Sequence, residues 1–457
     1  MPVANNPTPL RANRTCEYKD PSDDGVFGPI SSAKDIHSLA FGTLLDILVN
    51  RSRVREAVSL YFNTVNLWFT IIEKTDFERQ MEDAWDNLPA EVSILALCMA
   101  LIARPPNQKP SKGMGDTVYH STKAILSLVQ SKVPMSIRLL QAELLVAMYE
   151  FSQSMPQQAY MSVGRCLHMA KAFGWHNGSL WSDINPALAS PIELKRYSIL
   201  SWAIVYVDCL LNLAYQNSGL PMHTAGLPCI DTIPTPDRIT PQPPANPPLQ
   251  FVGQNQGFRD ANSDRIDGIL FPEAFSSWSL SKVLWQLSNP EESILDSREF
   301  DGIIWDHARM NAAERWRSGG RFSTLGMDLI SLMRLNQPTL FAGPNEMPVV
   351  DPNYVLAVNR IRNVTTFIAG KSVKLAESED RLNAGFIDPG WALAMRDAGQ
   401  LLIDHGEKEL LDAGWLAKVT SLRAVLDKIA KRWKIAERFS ESLKIALDHR
   451  GPATWHR

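Results

Sequence analysis

The sequence predicts an all-α protein, a multi-helix bundle of antiparallel helical hairpins with a Pro-rich internal loop. Three observations carry this expectation. Apolar residues recur at three- and four-residue steps through most of the chain, the apolar/polar alternation of half-buried strands is almost absent, and Pro- or Gly-marked breaks separate the helical patterns. The 457 residues are 45% hydrophobic and 21% charged, a globular composition with ample chain for a core. Lysine and arginine (46) nearly balance aspartate and glutamate (49), for a net charge of −3. That excludes the strongly basic footprint by which a whole domain holds a polyanion through counterion release, so any nucleic-acid contact must be local.

Residues 1–31 are rich in Pro, Asn, Ser, Asp and Gly and read as a disordered lead-in, with order beginning near Ser32. In Tyr61–Gln80 (YFNTVNLWFTIIEKTDFERQ), Phe62, Val65, Phe69 and Ile72 recur at helical spacing. Aromatics among basic residues can stack bases, but this stripe is more simply a core face. In SIRLLQAELLVAMYEF, Ser136 is placed as an N-cap and Leu139, Leu140, Leu144, Ala147 and Phe151 form an apolar stripe. Pro156 opens the next helix, where its missing N–H costs nothing. That helix puts Ala159, Val163, Cys166 or Leu167, Ala170 and Phe173 on one face and ends at Gly174 as a C-cap, so the two helices predict an antiparallel hairpin.

A third helix starts near Pro191 and carries the apolar run Ile199–Ala214 to Tyr215. The run is shorter than the roughly 20 residues of a membrane span and holds Asp208 and Asn212, so it predicts a buried helix through the centre of the core. Prolines crowd the segment from Pro221 to Pro248 and forbid helix, predicting a surface loop over 221–250 between a helical first half, 32–220, and a helical second half, 251–457. Helical patterns resume near Pro272, with breaks at Pro290, from Pro338 to Pro352 and near Pro389. The last pattern, Leu416 to His449, steps through Val419, Leu422, Leu426, Ile429, Trp433, Ala436, Phe439, Leu443 and Leu447 as one final helix.

Five scattered cysteines (Cys16, Cys98, Cys166, Cys209, Cys229) form no C-x-x-C pair, which argues against a disulfide framework and fits a reducing compartment. The amino terminus lacks the apolar stretch of a secretory signal, and the chain is expected inside the cell. Reactive motifs are not legible. AGKSVK (Ala369–Lys374) looks like the end of a phosphate-binding loop, but Thr365 stands where such a loop has Gly. His168 and His176 are too far apart for one helical turn of zinc ligands and read as a packed residue and a helix-terminal cation. Asp306-His307 and Asp404-His405 are adjacent pairs, and helical neighbours point about 100° apart, so neither is an acid–base dyad. No G-x-S-x-G occurs. The expectation is therefore no catalytic, cofactor-binding or metal-binding residue and no enzyme; the alternative is an enzyme of secondary metabolism using a cavity between helices. The basic run Lys428–Lys434 reads as an import signal or phosphate patch, or as a solvated flank of the final helix, which the nearby Asp427, Glu437 and Glu441 favour.

Together these segments resemble the fungal-specific transcription factor domain, the middle homology region of fungal zinc-cluster (binuclear six-cysteine) regulators, from about Phe27 to the end. YFNTVNLWFTIIEKTDF is similar to its first element. AYMSVGRCLHMAKAFGWH is the most specific match, with Ala159, Gly164, Arg165, Met169, Ala170, Gly174 and His176 at family positions. The central helix and its exit align at Glu193, Trp202, Asp208, Gly219 and Pro221, and depart at Lys195-Arg196, which sits too far from Trp202 for the family's register, and at Ser201, Cys209 and Leu220. These departures imply fewer buried charge partners for Asp208. In NRTCEYKDPSDD, Cys16-Glu17-Tyr18 resembles the last cysteine of a zinc cluster, but six thiolates hold two zinc ions and the other five are missing. Residues 1–31 are thus expected to hold a remnant, the cluster having been truncated or lost, and zinc is expected only if an upstream cluster is restored.

The resemblance implies the regulatory region of a fungal transcription factor in the nucleus, controlling gene expression such as that of a metabolic gene cluster. Its implied partners are a second copy of the chain or other transcription regulators, with a small-molecule effector as ligand and no membrane. Strong sequence-specific DNA binding by this chain alone is not expected. The alternatives are a regulator-like helical protein acting as a non-DNA-binding partner and the enzyme named above.

Overall fold

The computed structural model describes residues 33–104, 114–175, 191–216, 220–224, 271–289, 297–318, 322–341, 351–377 and 387–450. Among these there are fifteen α-helices, two short 3-10 turns and no strand. The expected lead-in with its Cys16 remnant, and the 221–250 loop beyond Thr224, lie outside the described residues. The first half holds α1 (Ala33–Leu48), α2 (Arg51–Asn63), α3 (Lys74–Asp83), α4 (Ala90–Ala103), α5 (Met114–Lys132), α6 (Ile137–Ser152), α7 (Pro156–Ala172) and α8 (Pro191–Ala214). The second holds α9 (Phe271–Ser288), α10 (Ser297–Ser318), α11 (Phe322–Phe341), α12 (Pro352–Ala376), α13 (Pro389–His405), α14 (Trp415–Ala430) and α15 (Lys434–Arg450).

Local chemistry sets the ends of the central hairpin. The Ser136 hydroxyl accepts the Leu139 N–H at 3.3 Å and so caps α6, and Pro156 occupies the first turn of α7. Gly174 closes α7 at φ +82°, where the Gly174 N–H reaches the Lys171 carbonyl (2.9 Å) and the Trp175 N–H reaches that of Ala170 (3.1 Å). This is a Schellman ending, and the left-handed backbone is why glycine stands there.

Helix α4 is apolar all round, and nearly every residue of it is buried. A helix with no polar face must run inside the bundle, and α1, α2, α5 and α6 surround it. Helix α8 is long and apolar enough to cross a membrane by length and composition, yet 83% of its most apolar window is buried within the protein. It packs on α6 and α7 in the first half and on α9 and α13 in the second, so one core joins both halves.

The final helix departs from expectation. Two helices, α14 and α15, replace it, separated by a turn at residues 431–433 and packed on each other and on α13. All nine apolar positions from Val419 to Leu447 are buried. The apolar steps continue across the break because both helices face one core, and no Pro or Gly marks the turn.

Candidate functional site

Two glutamates of α6, set within its apolar stripe, are almost completely buried, and both neighbouring helices supply their partners. Tyr119 and Lys123 of α5 donate to Glu150 Oε1, each at 2.6 Å, and the Ser162 hydroxyl of α7 donates to Glu150 Oε2 at 2.5 Å. Arg165 of α7 places Nε and Nη2 on Glu143 Oε1 (2.8 and 2.6 Å), and Gln130 donates to Glu143 Oε2 at 2.8 Å. Lys123 also donates to Ser162 (2.6 Å), tying the two sets together. Buried charges persist only when paired and hydrogen-bonded in this way. Arg165, one of the residues carrying the family resemblance, thus has a structural partner in Glu143.

A second cluster forms where the chain leaves α8. Asp208, buried, accepts both the Thr224 N–H and the Thr224 hydroxyl at 2.7 Å, so neutral donors hold it. Burial pushes its carboxyl above the usual range, and the Thr224 bonds and the adjacent His223 oppose that shift. His223 stacks on Tyr160 of α7 with ring centroids 3.9 Å apart, and its Nε2–H donates to the Tyr160 carbonyl at 3.0 Å. The sequence pointed to Asp208 but not to Thr224 or His223, because the partners follow a chain reversal that carries no pattern.

A cleft lies between the 68–71 segment and helices α8, α9 and α11, walled by Trp68, Phe69, Trp202, Tyr206 and Met327, with Glu273 in its lining. Beneath it the Tyr206 hydroxyl donates to Asp388 Oδ1 at 2.7 Å, and the same oxygen accepts the Gly390 N–H at 2.5 Å as the N-cap of α13. Burial raises the Asp388 carboxyl to about 6, against the pull of these two bonds.

The basic run divides. Lys428, Lys431 and Lys434 are exposed, as a solvated flank requires, whereas Arg432 and Trp433 are buried. Arg432 Nη2 donates to the carbonyls of Ile102 and Ala103 (3.3 Å each), at the C-terminus of α4 where the helix dipole favours a cation. Burial lowers its guanidinium to about 10.

The remaining candidates are placed by helix geometry. Asp306 is exposed, while His307 turns inward with Nδ1 2.9 Å from Asp328 Oδ2. Ser276 donates to the other oxygen of Asp328 at 2.6 Å. The carboxylate therefore stands between hydroxyl and imidazole, and His307 cannot take the Ser276 proton as the base of a nucleophile triad does. Asp404 accepts Gln400, and His405 approaches Glu409 at 3.3 Å. Ala369–Lys374 lies within α12, a continuous helix with no phosphate-cradling loop. His168 is exposed rather than packed, and His176 lies outside the described residues. Cys98, Cys166 and Cys209 are free and buried, and burial pushes each thiol up, away from the reactive thiolate. No cluster of three or more His, Cys, Asp or Glu suited to a metal ion occurs among the described residues.

These elements define an all-helical scaffold in which buried charge networks lock hairpins together. Residues 58–233 match the family described as the fungal specific transcription factor domain, a span that takes in both first-half networks and the central helix. Over that stretch the chain resembles a fungal transcription factor domain, which supports a fungal transcription regulator. It is also similar to a protein named transcription factor BOA15 from Botryotinia fuckeliana (strain B05.10), at 27% identity over 132 residues, covering 29% of this chain and 73% of the relative.

Proposed function

We propose that residues 33–450 form the regulatory body of this nuclear transcription regulator, a non-enzymatic scaffold that binds a partner or a small-molecule effector. The domain match over 58–233 carries the reading. The buried carboxylates fit a scaffold role: Glu143, Glu150 and Asp208 are engaged in holding helices together. The charge balance supports the further reading that these helices do not themselves grip DNA strongly. Surface arginines on α2 follow the same logic, since Arg51 and Arg55 both close on Glu82.

The test is a fusion of the full chain to an unrelated DNA-binding module with a reporter carrying that module's site in a fungal cell. The expected result is reporter output that changes with the fused chain and signal from the fusion in the nucleus. Output equal to that of the module alone overturns the reading. In parallel, a mobility-shift assay at low salt is expected to give no tight, sequence-selective complex, and such a complex would refute the statement about DNA.

A further inference from the structure

Three arginines converge on one carboxylate where the end of α8 meets the second half of the chain. Asp397 of α13, 5% exposed on its side chain, accepts from two of them. Arg334 of α11 places Nε and Nη2 on Oδ2 (3.1 and 2.8 Å), and Arg396 places Nε on Oδ1 (2.7 Å), so both carboxylate oxygens are engaged. Arg396 Nη2 also donates to the Leu213 carbonyl in the last turn of α8 (3.1 Å), a neutral acceptor. Arg438 of α15 has no carboxylate partner among the described residues, and its guanidinium lies over the Tyr215 ring, 4.2 Å from the centroid.

Three guanidiniums against one carboxylate leave two positive charges unanswered within the cluster. The crowding acts on Arg396: burial lowers its guanidinium, Asp397 pulls it back, and the like charges of Arg334 and Arg438 lower it further. Acids on α15 do not relieve it, since Glu441 pairs with Lys444 (3.2 Å) and Glu437, adjacent to Arg438 on the helix, points about 100° away. Donors remain as well. Arg334 Nη1 has Gln216 Oε1 at a long 3.4 Å, and Arg396 Nη1 makes no hydrogen bond among the described residues. Arg438 is exposed, and Arg334 and Arg396 keep 17% and 16% of their side chains in water, so the cluster is open to a solute.

We infer that the Arg334–Arg396–Arg438 cluster binds a small dianion, the phosphate or paired carboxylates of an effector, between the end of α8 and helices α11, α13 and α15. A guanidinium fork matches two oxygens of such a group, and a dianion supplies the two negative charges that the cluster lacks. The inference rests on reading the helical body as an effector-binding region and gives the charge of that effector. Its donors come from three helices of the second half, seated against the exit of α8, so an anion bound there favours the packed arrangement of all four.

The test titrates the full chain with inorganic phosphate and with malonate by isothermal calorimetry, at an ionic strength fixed with potassium chloride. Saturable binding at one site is expected; tighter binding of phosphate marks a phosphate ester as the source, and tighter binding of malonate a dicarboxylate. Arg438→Ala, at an exposed position, is expected to weaken binding about fivefold or more while the thermal midpoint in chloride shows a folded chain. Arg438→Lys, which keeps the charge and loses the fork, is expected to fall between the two. Gln216→Glu sets a carboxylate against Arg334 and is expected to weaken binding as well. Arg53→Ala, an exposed arginine of α2 that pairs with Glu56, is expected to leave it unchanged. No saturable binding of either probe, or binding that Arg438→Ala leaves intact, overturns the site. Probe binding is read on the isolated chain and the reporter assay in cells, so failure of one is separable from failure of the other.

Discussion

A β-carbon built on Gly164 stands 3.1 Å from Cε1 of His223, the ring that stacks on Tyr160 one helical turn away. Glycine in α7 therefore makes room for a residue from beyond α8, and it does so against its own helix propensity, a cost of about 1 kcal/mol relative to alanine. Gly164→Ala is expected to regain that propensity and to displace His223, for a net loss of about 1 kcal/mol in urea unfolding. In a His223→Ala background the same change is expected to stabilise by about 0.5–1 kcal/mol. Equal effects in both backgrounds would show that the ring does not set the glycine.

Asp388 makes stability depend on pH with a definite sign. Its carboxyl is raised from 3.8 to about 6 in the folded chain, so the native state holds the proton more tightly than the unfolded one. The contribution to stability is fully present below the unfolded value and is lost as pH rises through about 6, an effect of roughly 3 kcal/mol over the whole window. The carboxamide introduced by Asp388→Asn still caps α13 and accepts from Tyr206 but does not titrate. Relative to wild type, Asp388→Asn is expected to be favoured by about 1 kcal/mol more at pH 8 than at pH 5, whereas Asp388→Ala loses about 1 kcal/mol of cap. Parallel pH profiles for wild type and Asp388→Asn would contradict this.

Within the run Lys428–Lys434, burial separates one cation from the rest. Arg432→Met is expected to destabilise by about 1–3 kcal/mol, because the carbonyls of Ile102 and Ala103 lose their donor in the interior. Lys431→Ala and Lys434→Ala, on exposed positions, are expected to stay within about 0.5 kcal/mol of wild type. Chemical denaturation of the three variants decides it, and indistinguishable midpoints would sink the assignment.

What was legible in the sequence was local. The Ser136 cap, Pro156, the Gly174 ending and the apolar run of α8 each follow from neighbours a few residues apart, and the structure reproduces them. The break between α14 and α15 was not legible, since Trp433 continues the apolar step while its indole turns to Ile387. Nor was the cleft, whose walls come from segments near 69, 202, 274 and 327 and meet only when the two halves pack. Glu143 and Glu150 interrupt an otherwise apolar stripe, and their partners Lys123 and Arg165 sit on other helices, beyond the reach of any periodicity. Asp208 stood out as a carboxylate short of charge partners, and its answer was a hydroxyl and an amide.

The Glu143–Arg165 pair separates a built contact from a surface one. Glu143 is 1% exposed on its side chain and Arg165 39%, whereas Arg51 and Glu82, 2.5 Å apart, are 40% and 41% exposed. Arg165→Ala strands most of the Glu143 charge in the interior, with Gln130 and a Lys123 ammonium at 3.8 Å as the remaining support. The expected loss is about 1–3 kcal/mol, reduced from the fully buried case by the exposure of the guanidinium. Arg51→Ala is expected to cost less than about 1 kcal/mol, because Arg55 still serves Glu82 and water screens both. Arg165→Lys is expected to recover less than half of the loss, as one ammonium cannot reproduce two N–H bonds to Oε1 and the further bond to Ser162. Glu143→Gln added to Arg165→Ala removes the stranded charge and is expected to return part of the stability. Urea midpoints that rank Arg165→Ala no lower than Arg51→Ala would mean that the network does not hold α6 to α7.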